Sequence, residues 1–363
     1  MPFGKYEPVI CQVFGAVCLL PLYRSRSITK GMKEHILITT ATGKTGYATT
    51  VQLLEAGYPV RIFVRSRNEK ARQLEKLGAE IALGELTDYK QLREALTGIQ
   101  RVYYCHPFVP GMVGNTNLFI QAARESGIEA IIYMGQWLAE FENQTSRFTN
   151  DTKAAYRQFE ESGLNVIYFI PGYFAENTFV VVLEFAVQLG LLPSPFGEGK
   201  NPVVSNEDMA AVLAALLKNP TPYYGKRLHP TGPESLSVVD MANSMSRVVG
   251  KRIRPITIPE WMFLKAASLM GREFGIDTFQ ISQARHYNKQ YQQNRFDVGG
   301  PTDIVRQLTG KEPDNFETIV RRYIDQSPYA KPSWSGWFNA MKKFMTIPFQ
   351  PIPSIKELDR LNQ

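Results

Sequence analysis

The chain has 363 residues, long enough to bury a large core and to carry a second lobe. Hydrophobic residues make up 44% and charged residues 21%, a globular balance that argues against disorder. The formal charge is +7, with Lys and Arg scattered rather than gathered into an aromatic-interleaved block. That pattern suits a small anionic ligand better than nucleic acid, and no nucleic-acid partner is expected.

Residues 9–23 form an apolar run that is too short to span a bilayer, which needs about twenty residues. It contains Gly15 and ends near Pro21, and no clear signal-peptidase site follows. Residues 1–33 are read as an extension, with 1–31 non-native and translation starting at Met32; no membrane partner is expected. Cys11, Cys18 and Cys105 are odd in number and form no C-x-x-C pair, which points to a reducing, cytoplasmic setting. His35, His106, His229 and His286 lack ligand spacing, so no metal is expected.

From residue 34 the pattern alternates. Strands are predicted at 36–39, 60–64, 80–86, 101–105, 129–135 and 164–170. Helices are predicted at 47–57, 68–77, 89–96, 115–126 and 152–162, most of them stopped by a glycine. Short apolar strands alternating with amphipathic helices imply an α/β fold: a doubly wound parallel sheet of order 3-2-1-4-5-6 covered on both faces. This domain is placed at 34–175. After Pro171 helices dominate (178–189, 206–217, 238–249, 259–269, 277–293 and 315–324), with two short strands in KRLHP and KRIRPITI. Residues 176–326 are read as a smaller, mostly helical lobe that closes on the carboxyl edge of the sheet. The tail, 327–363, is expected to be irregular.

The strongest motif is ITTATGKTG, residues 38–46, placed between the first strand and the first helix. Small residues let backbone approach a pyrophosphate, and a helix N-terminus presents unpaired N–H groups at the positive end of its dipole. Gly43 and Gly46 hold the last two positions of a G-x-x-G-x-x-G turn, while Thr40 holds the first, where glycine is usual. Thr40 is unfavourable there if its φ must be positive. At the end of the second strand stands Arg65, with Ser66 and Arg67 beside it, where an NAD site usually carries a carboxylate. A guanidinium pairs bidentately with a 2′-phosphate, and Lys44 adds charge, so NADP(H) is expected in preference to NAD(H).

Taken together the segments resemble the NmrA-like branch of the atypical short-chain dehydrogenases/reductases. ITTATGKTG resembles that branch's glycine turn and RIFVRSRNEKA its second strand with the following arginine. LGELTDYKQLREALTGIQRVYYC, NDTKAAYRQFEESGLNVIYFIPGYFAEN, DMAAVLAALLKNP and RLHPTGPESLSVVDMANSMSRVVGKRI resemble its later segments. The resemblance covers about residues 34–325 and implies an NAD(P)-binding Rossmann fold. It implies pyrophosphate contacts from the turn (Thr40, Ala41, Thr42, Gly43, Lys44, Thr45 and Gly46), and a 2′-phosphate contact from Arg65. It places Lys153 near the nicotinamide ribose and Pro171, Gly172, Tyr173 and Phe174 along the nicotinamide pocket. Thr40, Glu85 and Ile170 depart from the family pattern, which has Gly, Asp and Arg there.

Standard short-chain dehydrogenases use Tyr-x-x-x-Lys with an upstream serine. Thr149 stands four residues before Lys153, and Gly135 stands at the serine position, so that relay is missing. Three readings remain. The chain is a reductase of a small organic acceptor in which Lys153 acts as acid or base or water protonates the product; or it is a non-catalytic NADP(H) sensor that reports to a protein partner; or Lys153 is only a surface or ribose-holding residue and there is no turnover. Tyr156 is read as packing. His106 faces the cofactor or makes a local loop bond, the latter favoured. Trp137, Phe141, Tyr173 and Phe174 wall a pocket or belong to the core. Nothing in the sequence assigns a substrate or an oligomeric state.

Overall fold

The computed structural model describes residues 33–140, 146–328 and 331–362. Residues 9–23, with Cys11 and Cys18, and Phe141 lie outside the described residues. The alternation begins with β1 (Ile36–Thr39), α1 (Lys44–Glu55), β2 (Val60–Val64), α2 (Glu69–Lys76), β3 (Glu80–Leu83) and α3 (Tyr89–Leu96). It continues with β4 (Arg101–Tyr104), α4 (Met112–Ser126), β5 (Ala130–Met134), α5 (Arg147–Glu161) and β6 (Val166–Phe169). Beyond β6 come α6 (Glu176–Phe179), β7 (Leu191–Ser194), α7 (Asn206–Lys218), β8 (Arg227–Leu228), α8 (Val238–Val249) and β9 (Arg254–Thr257). The chain closes with α9 (Glu260–Phe274), α10 (Thr278–Gln292), α11 (Ile304–Thr309), α12 (Phe316–Asp325), α13 (Trp334–Thr346) and α14 (Ile355–Asn362).

The main sheet is parallel, in the order β3-β2-β1-β4-β5-β6-β8. It keeps the predicted order and adds one short strand at the edge. Both faces are buried because successive strand residues point to opposite sides. Ile36, Ile38, Tyr103, Ile132 and Phe169 join one core with α1, α2, α7 and α11. Leu37, Val102, Tyr104, Ile131 and Tyr133 join the other with α3, α4 and α5. That second core also takes in Phe179, Leu236, Tyr291 and Phe316, so the region after residue 175 shares its interior with the sheet.

Three local expectations change. The single helix expected over 178–189 is broken into α6, a 3-10 turn (Val180–Val182) and a π-helical turn (Phe185–Leu189); the run Val180-Val181-Val182 is β-branched and crowds a regular helix. Residues 191–194 form β7, which pairs in parallel with β9 as a separate two-stranded sheet. The tail is not irregular. It carries α13 and α14, because Ala340 and Ile347 bury against Phe185 while Leu358 buries against Leu264 and Ile281.

Candidate cofactor-binding site

The parallel order puts the carboxyl ends of β1, β4 and β5 side by side, the place where doubly wound folds hold their ligands. At its centre the chain leaves β1 through Thr40, whose φ of 53° lies in the left-handed region. For a β-branched residue this costs about 1–2 kcal/mol. The Thr40 hydroxyl donates to the Cys105 carbonyl at 2.6 Å, which ties the turn to the end of β4 and offsets part of that cost. Gly43 N donates to Thr40 O at 2.9 Å and closes the loop. A Cβ on Gly46 would stand 2.7 Å from Thr40 O and 2.9 Å from the Ala41 Cα, so only glycine lets α1 start so close to the turn.

Gly43 is the N-cap of α1 and brings no capping side chain. Among the described residues, no acceptor takes the N–H groups of Lys44, Thr45 and Gly46. Three aligned donors at a helix N-terminus, lined by glycine, fit a pyrophosphate. The Thr45 hydroxyl is held 2.9 Å from the Tyr103 phenol in the core, which anchors the first turn. Ala41 is fully buried and belongs to the sheet core, whereas Thr42 is half-buried at the bend.

Lys44 reaches across the mouth and donates to Asn177 Oδ1 at 2.6 Å. Its stem is exposed, but packing around the ammonium lowers its pKa, against the pull of the Glu176 carboxylate. Glu176 is buried, with Oε1 accepting from Asn206 N at 3.0 Å and Oε2 lacking any partner. Burial pushes its carboxyl up to about 7, while the Asn206 amide bond and the Lys44 charge oppose the rise. This Lys44–Glu176–Asn177 group was not foreseen; the signal available was the EN that ends PGYFAEN, but its link to the turn spans 133 residues.

At the end of β2, Arg65 is exposed and finds no ion-pair or hydrogen-bond partner among the described residues. Arg67 differs, since its guanidinium is held by Glu75 at 2.9 Å. Beyond β4, His106 is buried and its ring is locked: Nδ1 stands 2.7 Å from Pro107 O and Nε2 stands 2.9 Å from Asn115 Nδ2. Nδ1–H donating and Nε2 accepting satisfies both contacts with a neutral imidazole, and burial takes its pKa down to about 4. The local loop bond is therefore what His106 makes. Burial also raises the Cys105 thiol to about 11, which keeps it unreactive.

Two side chains that the resemblance places by the nicotinamide have other neighbours here. Lys153 lines a groove with Ala139, Glu140, Tyr156, Arg157, Glu160 and Arg227. Arg227 belongs to β8, four strands from β1 in the sheet, and bonds Glu140 and Glu160 at 2.6 Å each. No wall of that groove comes from the turn, β4 or its loop. The α5 residue turned toward the start of α4 is Thr152, whose hydroxyl bonds Phe148 O and lies 3.7 Å from Met112 Sδ. Lys153 is offset from Thr152 by one residue, about 100° of helix. Tyr173 is also turned away, with its ring among Phe196, Tyr291 and Phe296 at centroid separations of 4.9–5.7 Å. The extended backbone alternates here, so Phe174 instead packs on the core that contains Ala41. Gly172 N donates to Pro230 O, and Ala175 N and Tyr173 O pair with Val204, which holds the segment after Pro171 rigid.

Tyr156 is packing, as expected: its hydroxyl accepts from Gln136 N at 3.0 Å and occupies the space that a side chain on Gly135 would need. Trp137 is core, with Nε1 donating to Arg295 O at 3.0 Å. A phenol does reach the end of β5, from the distant helix α10: Tyr287 bonds Gln136 Nε2. Its neighbours include Phe108, which stands 4.3 Å from Phe148 and 6.1 Å from Phe279 by ring centroid.

The sequence profile of the NmrA-like family matches residues 32–316. The chain belongs to the NmrA-like family. Among curated relatives it is 27% identical to the NAD(P)H azoreductase of Xenophilus azovorans over 303 residues, 79% of this chain and 97% of that protein. Its fold is that of an Escherichia coli NADPH-dependent quinone oxidoreductase solved with NADPH (TM-score 0.66, 18% identity, 79% of this chain and 99% of that one). It is equally that of NmrA, a negative transcriptional regulator solved with NAD (TM-score 0.64, 16% identity, 83% of this chain and 100% of that one). No helix among the described residues of this NmrA-like chain is long and apolar enough to cross a membrane.

Proposed function

We propose that this NmrA-like chain binds NADP(H) in preference to NAD(H) and reduces a small organic acceptor of quinone or enone type. The observation that carries the cofactor reading is the pairing of three unpartnered amides at Lys44, Thr45 and Gly46 with an unpaired Arg65 at the end of β2. The amides suit a pyrophosphate and the guanidinium a 2′-phosphate, which a carboxylate at that place would repel. A bound nicotinamide supplies the hydride. Thr40 and Gly43 shape the turn around the phosphates, Lys44 and Asn177 bridge across it, and Phe174 stands on the sheet core beside Ala41. The acceptor also needs a proton. With Lys153 in the groove that Arg227 lines, it comes from water or from Tyr287, whose phenol is kept protonated by burial and held by Gln136. That a relative is named an azoreductase supports reduction as the reaction class.

A second reading, an NADP(H) sensor acting through a protein partner, is favoured by the missing Tyr-x-x-x-Lys relay, with Thr149 where the tyrosine would stand. Steady-state oxidation of NADPH with a panel of quinones, enals and azo dyes separates the two. Turnover with any acceptor, well above the enzyme-free rate, is expected. Tight NADPH binding without turnover on the whole panel sinks the reductase reading and leaves the sensor.

A further inference from the structure

Helix α13 turns its apolar side outward. Its inner face, Ala340 and Phe344 with Ile347 beyond, packs on Phe185, Met262, Ala266 and Leu269. Its outer face carries Trp334, Phe338, Met341 and Met345 at i, i+4, i+7 and i+11, one stripe along the helix. Trp334 is 83% exposed, Phe338 63% and Met345 59%, and Phe349 in the next turn is 84% exposed. Exposed apolar side chains gathered this way mark an interaction surface, where scattered ones would mean nothing.

The helix is firmly held. Gln188 Oε1 accepts from Ser333 N at 2.9 Å, Gln188 Nε2 donates to Lys331 O at 3.0 Å, and Gly336 lies so close to Gln188 that a Cβ would clash. Lys343 pairs with Glu184 at 3.6 Å on the inner side. The stripe is thus presented on a fixed support. Residues 326–356 contain four lysines and no carboxylate, with Asp325 and Glu357 flanking the run and Lys343 taken up by Glu184. Lys331, Lys342 and Lys356 are exposed. On neighbouring α9, Trp261 is 48% exposed, Lys265 lies 5.7 Å from its ring centroid, and Lys265 Nζ also contacts Pro348 O.

We infer that α13 is an interfacial membrane-binding helix, by which the protein rests on an anionic lipid surface. Trp and Phe beside lysines, on a helix about 20 Å long that cannot span, is the arrangement that lies in the headgroup plane. A second copy of the chain would bring the same lysines against themselves, whereas acidic lipid headgroups neutralise them. Residues 334–349 lie beyond the span that the family profile matches, so this surface is an addition to the cofactor-binding fold and independent of the function proposed above.

The test is co-sedimentation of the full chain with vesicles of phosphatidylcholine, with and without phosphatidylserine. Vesicles containing phosphatidylserine are expected to bind it, and binding is expected to fall as salt rises from about 0.1 to about 1 M and the Debye length drops from about 10 to about 3 Å. Trp334→Ser with Phe338→Ser is expected to weaken binding roughly tenfold or more, and Lys342→Glu by a smaller factor. NADPH affinity, read by titration, stays unchanged in each and shows that the fold is kept. Binding that is the same without phosphatidylserine, or that survives the double substitution, overturns the inference and puts any membrane contact elsewhere in the chain. A dimer that the double substitution disperses, with no vesicle binding by the unaltered protein, overturns it in favour of self-association.

Discussion

Replacing Glu176 by glutamine is expected to make stability less dependent on pH. The carboxyl rises from 4.5 to about 7 on folding, chiefly through burial, and its Oε2 has no partner. A shift of that size corresponds to about 3 kcal/mol between the two protonation states. The folded state holds the proton more tightly than the unfolded chain. The penalty is therefore absent below pH 4.5, grows as pH rises toward 7, and is full above it. Between pH 5 and pH 8 it grows by about 2.5 kcal/mol. Glutamine keeps an oxygen for the Asn206 amide but cannot ionise. Its new N–H donors can add a constant cost of about 1–3 kcal/mol if left unpaired, and that offset does not vary with pH. Urea unfolding of both proteins at pH 5, 6, 7 and 8 reads the difference directly. The variant is expected to gain on the wild type by about 2.5 kcal/mol across this range. A flat difference would falsify the assignment of a buried, raised carboxyl to Glu176.

Arg65→Ala is expected to weaken NADPH and NADP⁺ binding by about 1.5–3 kcal/mol, roughly ten- to a hundredfold, and to leave NADH almost unchanged. Calorimetric titration checks this, and equal weakening of all three removes Arg65 from the 2′-phosphate. Gly46→Ala puts a methyl against the Thr40 carbonyl, an overlap costing about 1–3 kcal/mol and displacing the turn amides. Its Kd for every dinucleotide should rise, and an unchanged Kd rules out the amide cradle. Lys153→Ala should alter neither NADPH affinity nor any acceptor turnover by more than about twofold, about 0.4 kcal/mol. A larger loss of either returns Lys153 to the crevice.

Much of the architecture was written in short-range pattern. Six apolar runs alternating with amphipathic segments are enough to announce a parallel sheet, since strands buried on both faces need apolar residues throughout. The glycine turn was equally legible, because its chemistry belongs to nine consecutive residues, and a positive φ at Thr40 was the condition under which it would be strained. The tail helices were not, because prolines and tryptophans mask their period and their inner faces bury against distant segments: Phe185, α9 and α10.

The rotation of α5 shows the limit most clearly. The resemblance to the family makes Lys153 look like a cofactor contact, yet the helix buries Thr149, Thr152, Tyr156 and Phe159, and the lysine lines a groove with Arg227. Sequence alone thus established the order of elements and the place of the glycine turn, which depend on neighbours along the chain. The partners of Lys44, the direction of Lys153, the phenol of Tyr287 at Gln136 and the outward stripe of α13 were decided by packing between segments tens to more than a hundred residues apart. One residue of phase in a helix moves a side chain by about 100°, and only the tertiary contacts set that phase.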